Sequence, residues 1–508
     1  MNSDTSWPRL ELAFALFGTL LWLGAALLPG YGLFIDEYYY AACAGRLDWG
    51  YVDHPPLAPA VLRGALELLG HSRLALRLPP ALAGGVLVFL CGWMARRLGA
   101  GARGRALACA AALLPPGYHI MFGFFSMNAF ELVLWAGVCA LVIELARAPR
   151  PATWLALGGV LGLGLLNKHT MVLLAGALAL GILATRARRT LATPWPWLAA
   201  LLALLMLTPN LLWQHENGWP SLEFYANADR FKNVPTPPLE VALLQVLFLN
   251  PATALLWIAG LAALLFRREF AHLRHLGLAA ALLFALILAA QKSRPDRIAG
   301  IYPLLFAAGA VTLEPWLATR ARQLAAGALL VLGFLLCAPL GLPLLPPRLA
   351  ARHAQALGAA RPLEAGESKV TNLPQWFADR LGWEVFAQDV RAVLASLPPE
   401  ERSQTAIFTQ NYGTAGALEW HGVARDTLGV HTAHNSYFLW GPPAAPFATA
   451  LVVGDEEDDL RELFHVVELA RVSRSEEAMP ERRALPLWLC RNPRVDLLER
   501  WEGWKHFE

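Results

Sequence analysis

Apolar runs of membrane-crossing length recur along the first 340 or so residues, separated by short polar or proline-bearing turns. A helix spanning about 30 Å of hydrocarbon needs roughly 20 mainly apolar residues. Runs of this kind lie near 10–29, 75–95, 105–121, 127–146, 152–166, 169–185, 195–213, 240–266, 275–291, 298–317 and 323–341, which predicts about eleven transmembrane helices. The stretch 152–185 is short for two crossings. The polar Asn167-Lys168-His169 in its middle selects two helices joined by a water-facing turn, because three polar groups at mid-bilayer are costly. The first run, Leu10 to Leu28, has no basic region before it and is long enough to span, so it reads as a retained helix rather than a cleaved signal.

Orientation follows from arginine placement. With the N-terminus cytoplasmic, Arg96, Arg97, Arg103, Arg105, Arg147, Arg150, Arg186, Arg188, Arg189, Arg267, Arg268, Arg320 and Arg322 all fall in inner loops. The other side receives the longer loops 30–74, 214–239 and 291–297. The odd number of spans then places everything after them outside. From Pro346 onward charged residues become common and β-type segments (Thr405 to Thr409, Thr449 to Val453, Leu485 to Cys490) alternate with helical patterns over 379–397 and 455–464. The expected organisation is a membrane domain over 1–345, carrying those outer loops, and a soluble α/β domain over 346–508.

Composition narrows the class. The 508 residues are 56% hydrophobic and only 16% charged, against roughly 25% charged in soluble domains. A net charge of +3 without an aromatic-studded basic patch argues against nucleic acid. Cys43, Cys91, Cys109, Cys139, Cys337 and Cys490 show neither metal-type spacing nor a disulfide framework.

Candidate chemistry concentrates on the outer side. The first loop places Asp36 and Glu37 at the mouth of a helix, followed by Tyr38-Tyr39-Tyr40, then Asp53-His54-Pro55-Pro56. A carboxylate at such a boundary can take a proton from an attacking hydroxyl. His119, Ser126, Asn128 and Glu131 lie together near the start of the fourth span; they suit substrate orientation or a metal site with Asp36, and equally an ordinary capped helix start. Lys168, His169, Lys292, Arg294 and Arg297 are cations on the outer side, against the prevailing charge bias, and call for an anionic partner such as a phosphate or lipid headgroups.

These segments together resemble the bacterial family 39 glycosyltransferases, relatives of the protein O-mannosyltransferases and the lipid A aminoarabinose transferase. The resemblance rests on Asp36-Glu37-Tyr38, Gly50-Tyr51-Val52-Asp53-His54-Pro55-Pro56-Leu57, Ser126 to Glu131, Gly162 to Lys168, Pro209 to Gln214, Gly218-Trp219-Pro220 with Glu223-Phe224, and Tyr302-Pro303. In the C-terminal part it rests on Asn411 to Ala417, His434-Asn435-Ser436-Tyr437 and Trp440-Gly441-Pro442. It implies a GT-C fold and transfer of a sugar from a polyprenyl-phosphate donor to a lipid, glycan or protein acceptor of the envelope. The reaction would run at the periplasmic face of the inner membrane. It further implies Asp36 as base, with Glu37 beside it. Tyr39, Asp53, His54, Asn128, Glu131, Lys168, His169, Arg294, Arg297 and Tyr302 would contact substrate, and His434, Asn435, Tyr437 and Trp440 would lie on the acceptor side. Divalent metal dependence varies in the superfamily and stays open. The last outer loop, Ser293-Arg294-Pro295-Asp296-Arg297, departs from the family's tyrosine pair, so Arg294 and Arg297 rest on charge alone. The competing reading is a transporter or flippase of lipid-linked sugars, which needs charged or broken helices at mid-membrane.

Overall fold

The computed structural model of the chain describes residues 8–290, 294–359 and 371–508. Among these residues seven helices are long and apolar enough to cross a membrane, or nine if each of two bent helix pairs counts as one span. Every run predicted as a span has helical counterparts. The count falls below eleven because several are short or broken. The run 105–121 divides into Ala102–Leu113 and Pro116–Phe122, where Pro115 and Pro116 interrupt the hydrogen-bond ladder. The run 240–266 is not one helix: Pro238–Phe248 and Pro251–Phe266 meet at 97°. Asn250 takes a positive φ of 68° there, its Oδ1 accepts the Ala252 N–H at 3.1 Å, and Pro251 forbids continuation. The break at Lys168 between Pro151–Asn167 and Met171–Leu183 is the one the polar turn foretold.

The residues divide into two compact units, and the division is not the linear one expected at residue 345. One unit comprises 1–28, 69–212 and 234–344; the other comprises 29–68, 213–233 and 345–508. The segments 29–68 and 213–233 therefore belong with the C-terminal segment rather than with the helices that flank them in sequence. The reason is visible in the second unit: the loops carry aromatic and polar side chains whose partners lie beyond residue 345.

The first unit is a helical core that includes Trp22, Trp135, Tyr118, Phe122 and Tyr302, all fully buried. Its helices approach closely where side chains are smallest. The Ala254–Phe266 and Tyr302–Leu313 helices cross at Gly260 and Gly309, where an added Cβ would sit 2.0 Å from the Leu305 carbonyl oxygen and 1.9 Å from that of Leu256.

The second unit holds a five-stranded mixed sheet: β1 (Thr405–Thr409), β2 (Val430–His431), β3 (Thr449–Val453), β4 (Phe464–Arg474) and β5 (Ala484–Pro493), in the order β2-β1-β3-β5-β4. β1 runs parallel to β2 and β3, while β5 is antiparallel to β3 and β4. Three strands match the sequence pattern. β4 does not, because it is an edge strand exposed along most of its length and shows no apolar alternation. Two helices of this unit, Ile35–Gly45 from the first loop and Tyr412–Trp420 after β1, pack against each other.

Candidate active site

The second unit brings the first-loop acids to the C-terminal segment through that helix pair. A Cβ on Gly413 would lie 2.1 Å from Ile35, and one on Gly416 would lie 2.8 Å from the Tyr38 backbone. Only hydrogen fits at both positions, so the Asn411-Tyr-Gly-Thr-Ala-Gly-Ala run is a close-packing surface. Asn411 starts its helix by accepting the Thr414 N–H at 3.0 Å. Tyr412 is thereby set so that its hydroxyl donates to Asp36 Oδ1 at 3.0 Å. Asp36 itself is half-buried in the first turn of the Ile35–Gly45 helix, where the helix dipole favours negative charge.

Glu37, expected beside Asp36 in the chemistry, has another task. It is fully buried, and its Oε2 accepts the Phe34 N–H at 2.8 Å, closing the helix start. The neighbouring acids thus have different partners, the Phe34 N–H for Glu37 and the Tyr412 hydroxyl for Asp36.

Asp53 is held by a second set of hydroxyls. Tyr39 donates to Asp53 Oδ1 at 3.0 Å. The Tyr39 oxygen lies 2.7 Å from Ser436 Oγ and accepts the Ser436 N–H at 3.1 Å, while Val52 N–H donates to Ser436 Oγ at 3.1 Å. Because the single phenol proton goes to the carboxylate, Ser436 Oγ–H supplies the other bond. Burial, and then the charge of Asp53, push the Tyr39 phenol well above its ordinary pKa, so it remains a donor. The Tyr39 and Tyr412 rings lie 4.6 Å apart, tilted by 30°. The two tyrosines, one from each segment, form a contact pair in which each serves one aspartate.

His54 proves to be a packed residue of the loop. It is fully buried, its Nδ1 lies 3.0 Å from the Pro55 carbonyl oxygen, and its ring sits 4.8 Å from both Tyr40 and Tyr51. His434 and Asn435 fix the chain segment 505–508. Asn435 Nδ2 donates to the main-chain oxygen of Glu508 at 3.1 Å and its Oδ1 accepts the Glu508 N–H at 3.1 Å. His434 Nε2 lies 3.1 Å from the same Glu508 oxygen, and its ring packs 4.7 Å from Tyr412. Tyr437 donates to Glu419 Oε2 at 3.0 Å, Arg46 grips Glu419 in a fork at 2.7 and 3.0 Å, and the guanidinium lies 4.5 Å from the Trp440 ring centre. These contacts tie the end of the first-loop helix to the C-terminal segment.

The helical unit assembles its own polar cluster. Lys168 Nζ donates to Asn128 Oδ1 at 2.8 Å and to Glu131 Oε2 at 2.7 Å, and Thr170 donates to the other Glu131 oxygen. Asn167 Nδ2 reaches the Met127 carbonyl at 2.9 Å. Asn128 and Glu131 are therefore not idle cap residues, and Ser126 makes no side-chain cap. Lys168 is an ion-paired cation rather than a bare one. His169 Nε2 lies 3.2 Å from Asn210 Oδ1. Arg294 forks onto Asp296 at 3.0 and 3.1 Å, and Lys168 also acts electrostatically on Asp296. Arg297 is half-buried, and its N–H bonds the Arg294 carbonyl at 3.3 Å. Lys292 lies outside the described residues.

Two expectations in this unit change. Tyr302 is a core residue: its hydroxyl donates to Gln245 Oε1 at 2.6 Å, and its ring packs edge-on against the stacked Trp257 and Phe284 rings. His119 is fully buried and accepts the Trp22 indole N–H at 2.9 Å, so its ring serves packing. Among the described residues no group of three His, Cys, Asp or Glu side chains gathers where it could hold a metal ion. The residues that sequence reasoning missed are Tyr412, Ser436 and Asp296. The first two sit inside motifs already singled out, and Asp296 sits between two flagged arginines.

A family model described as dolichyl-phosphate-mannose-protein mannosyltransferase matches residues 53–213. No curated protein matches the chain by sequence. Among solved structures, ArnT from Cupriavidus metallidurans in the apo state aligns over 96% of this chain and 98% of its own, with a TM-score of 0.63 and 16% identity. The same enzyme bound to undecaprenyl phosphate aligns over the same shares, with a TM-score of 0.59 and 18% identity. The oligosaccharyltransferase AglB of Archaeoglobus fulgidus, in complex with an inhibitory peptide and a dolichol-phosphate, aligns over 82% of this chain and 64% of its own, with a TM-score of 0.50 and 12% identity. The fold expected from the sequence, a polytopic helical GT-C membrane architecture with a C-terminal α/β part, is the fold observed.

Proposed function

We propose that this GT-C-fold chain is an inverting membrane glycosyltransferase that moves a sugar from a polyprenyl-phosphate donor to an envelope lipid, glycan or protein at the periplasmic face of the inner membrane. The observation that carries the reading is Asp36: a half-buried carboxylate in the first turn of a helix, with one oxygen held by Tyr412, in a chain of this fold. The similarity to ArnT bound to undecaprenyl phosphate and the family match over 53–213 support a lipid-phosphate donor. The arginine-dense inner loops support the orientation.

Asp36 takes the proton of the acceptor hydroxyl. The acceptor oxygen bonds the anomeric carbon as its bond to the phosphate oxygen breaks, and polyprenyl phosphate leaves as an anion. Because the leaving group is already acidic, fixed positive charge serves it and no strong general acid is required. In the helical unit we assign that role to Lys168, Arg294 and Arg297, and to Glu131 and Asn128 the task of orienting Lys168. The roles of Asp53 and Tyr39 are to shape the acid-bearing loop. A transporter would use broken helices lined with available polar groups; the break at Asn250 is buried and closed by its own side chain, which also reaches the Leu330 carbonyl at 3.4 Å.

The test is transfer by the purified protein in nanodiscs from a panel of radiolabelled undecaprenyl-phosphate sugars to envelope lipid extract. Transfer by the wild type that is lost in a folded Asp36→Asn variant is the expected result. Binding of every donor with no transfer would favour transport, and a fully active Asp36→Asn would remove Asp36 from the chemistry.

A further inference from the structure

We infer that Tyr412, from the C-terminal segment, is the positioning residue of Asp36, so that the catalytic base is set by a group some 376 positions away in the chain. This rests on the assignment of Asp36 as base made above. Three observations carry it. The hydroxyl of Tyr412 donates to Asp36 Oδ1 at 3.0 Å. The Tyr412 backbone has almost no freedom to retreat, because Gly413 and Gly416 on the same helix lie against Ile35 and the Tyr38 backbone on the helix that bears Asp36. Its ring is fixed between Tyr39, at 4.6 Å, and His434, at 4.7 Å.

The consequence is chemical as well as geometric. A carboxylate can turn about its last torsion, and a base that turns spends time aimed away from the acceptor hydroxyl. A phenol donating to one oxygen holds that plane. The same bond favours the charged form of Asp36, which is the form able to take a proton. His434 joins the arrangement as the wall behind the phenol, itself held by Glu508.

Tyr412→Phe keeps the ring and its packing and removes only the donor. The expected result in the transfer assay is a fall in kcat of about tenfold, the loss typical of a hydrogen bond to a charged group. KM for the donor should stay unchanged, and the acid limb of the kcat–pH profile should move to higher pH. A merely structural tyrosine would lower Tm and leave the limb where it is. Replacing residue 412 by 3-fluorotyrosine, a stronger donor, should move the limb the other way and guards against a Phe variant that fails to fold. An unmoved limb in both variants, in a protein where Asp36→Asn is inactive, overturns the inference. An active Asp36→Asn overturns the underlying assignment instead.

Discussion

The candidate site acids of the two units have different partners. In the unit built from the first loop and the C-terminal segment, Asp36 and Asp53 accept hydrogen bonds from phenols 376 and 14 residues away. In the helical unit, Glu131 and Asp296 are bound by cations, Lys168 and Arg294, from 37 and 2 residues away. A carboxylate inside a helical membrane core needs a full counter-charge, since water is scarce and an unpaired ion is costly. Asp36, half-buried in its helix start, accepts one of its hydrogen bonds from a neutral phenol.

The sharpest way to break this contrast is to remove each acid's charge. Asp36→Asn should lower kcat by about a thousandfold, within the range for a general base, with Tm nearly unchanged; differential scanning fluorimetry beside the transfer assay reads both. Glu131→Ala should lose stability as well as activity, costing about 3 kcal/mol because Lys168 loses its ion-pair partner, and the Lys168→Met/Glu131→Leu double variant should regain most of the lost Tm without regaining transfer. If both acids behaved alike, the distinction between the units would fail.

Smaller effects refine it. Gly416→Val places side-chain atoms on the Tyr38 backbone and should cost about 2 kcal/mol by overpacking, with a parallel fall in activity as Tyr412 is pushed from Asp36. Glu37→Ala should cost only about 1 kcal/mol, the value of a helix cap, and should retain most transfer. A Glu37→Ala protein as stable as wild type but inactive would return Glu37 to the chemistry.

Several of these residues were visible as candidates before any coordinates, but their tasks were not. Asp36 and Glu37 are adjacent acids in sequence, and only the helix start separates a capping carboxylate from a site carboxylate. His54 and Tyr302 are substrate contacts by the family resemblance, and in the structure both are enclosed by aromatic rings. Lys168 was correctly placed at a polar turn, but its pairing with Glu131 depends on how two helices pack.

What the sequence determined by itself was the membrane-spanning character and the α/β character of the C-terminal part. Each follows from local physics: the length of apolar runs and the alternation of β-type and helical patterns. The tertiary structure decided where the segments 29–68 and 213–233 belong, that the run 240–266 breaks at Asn250, and which donor serves which acid. These depend on contacts between segments hundreds of residues apart, and no local pattern of polarity encodes the partner of a hydroxyl.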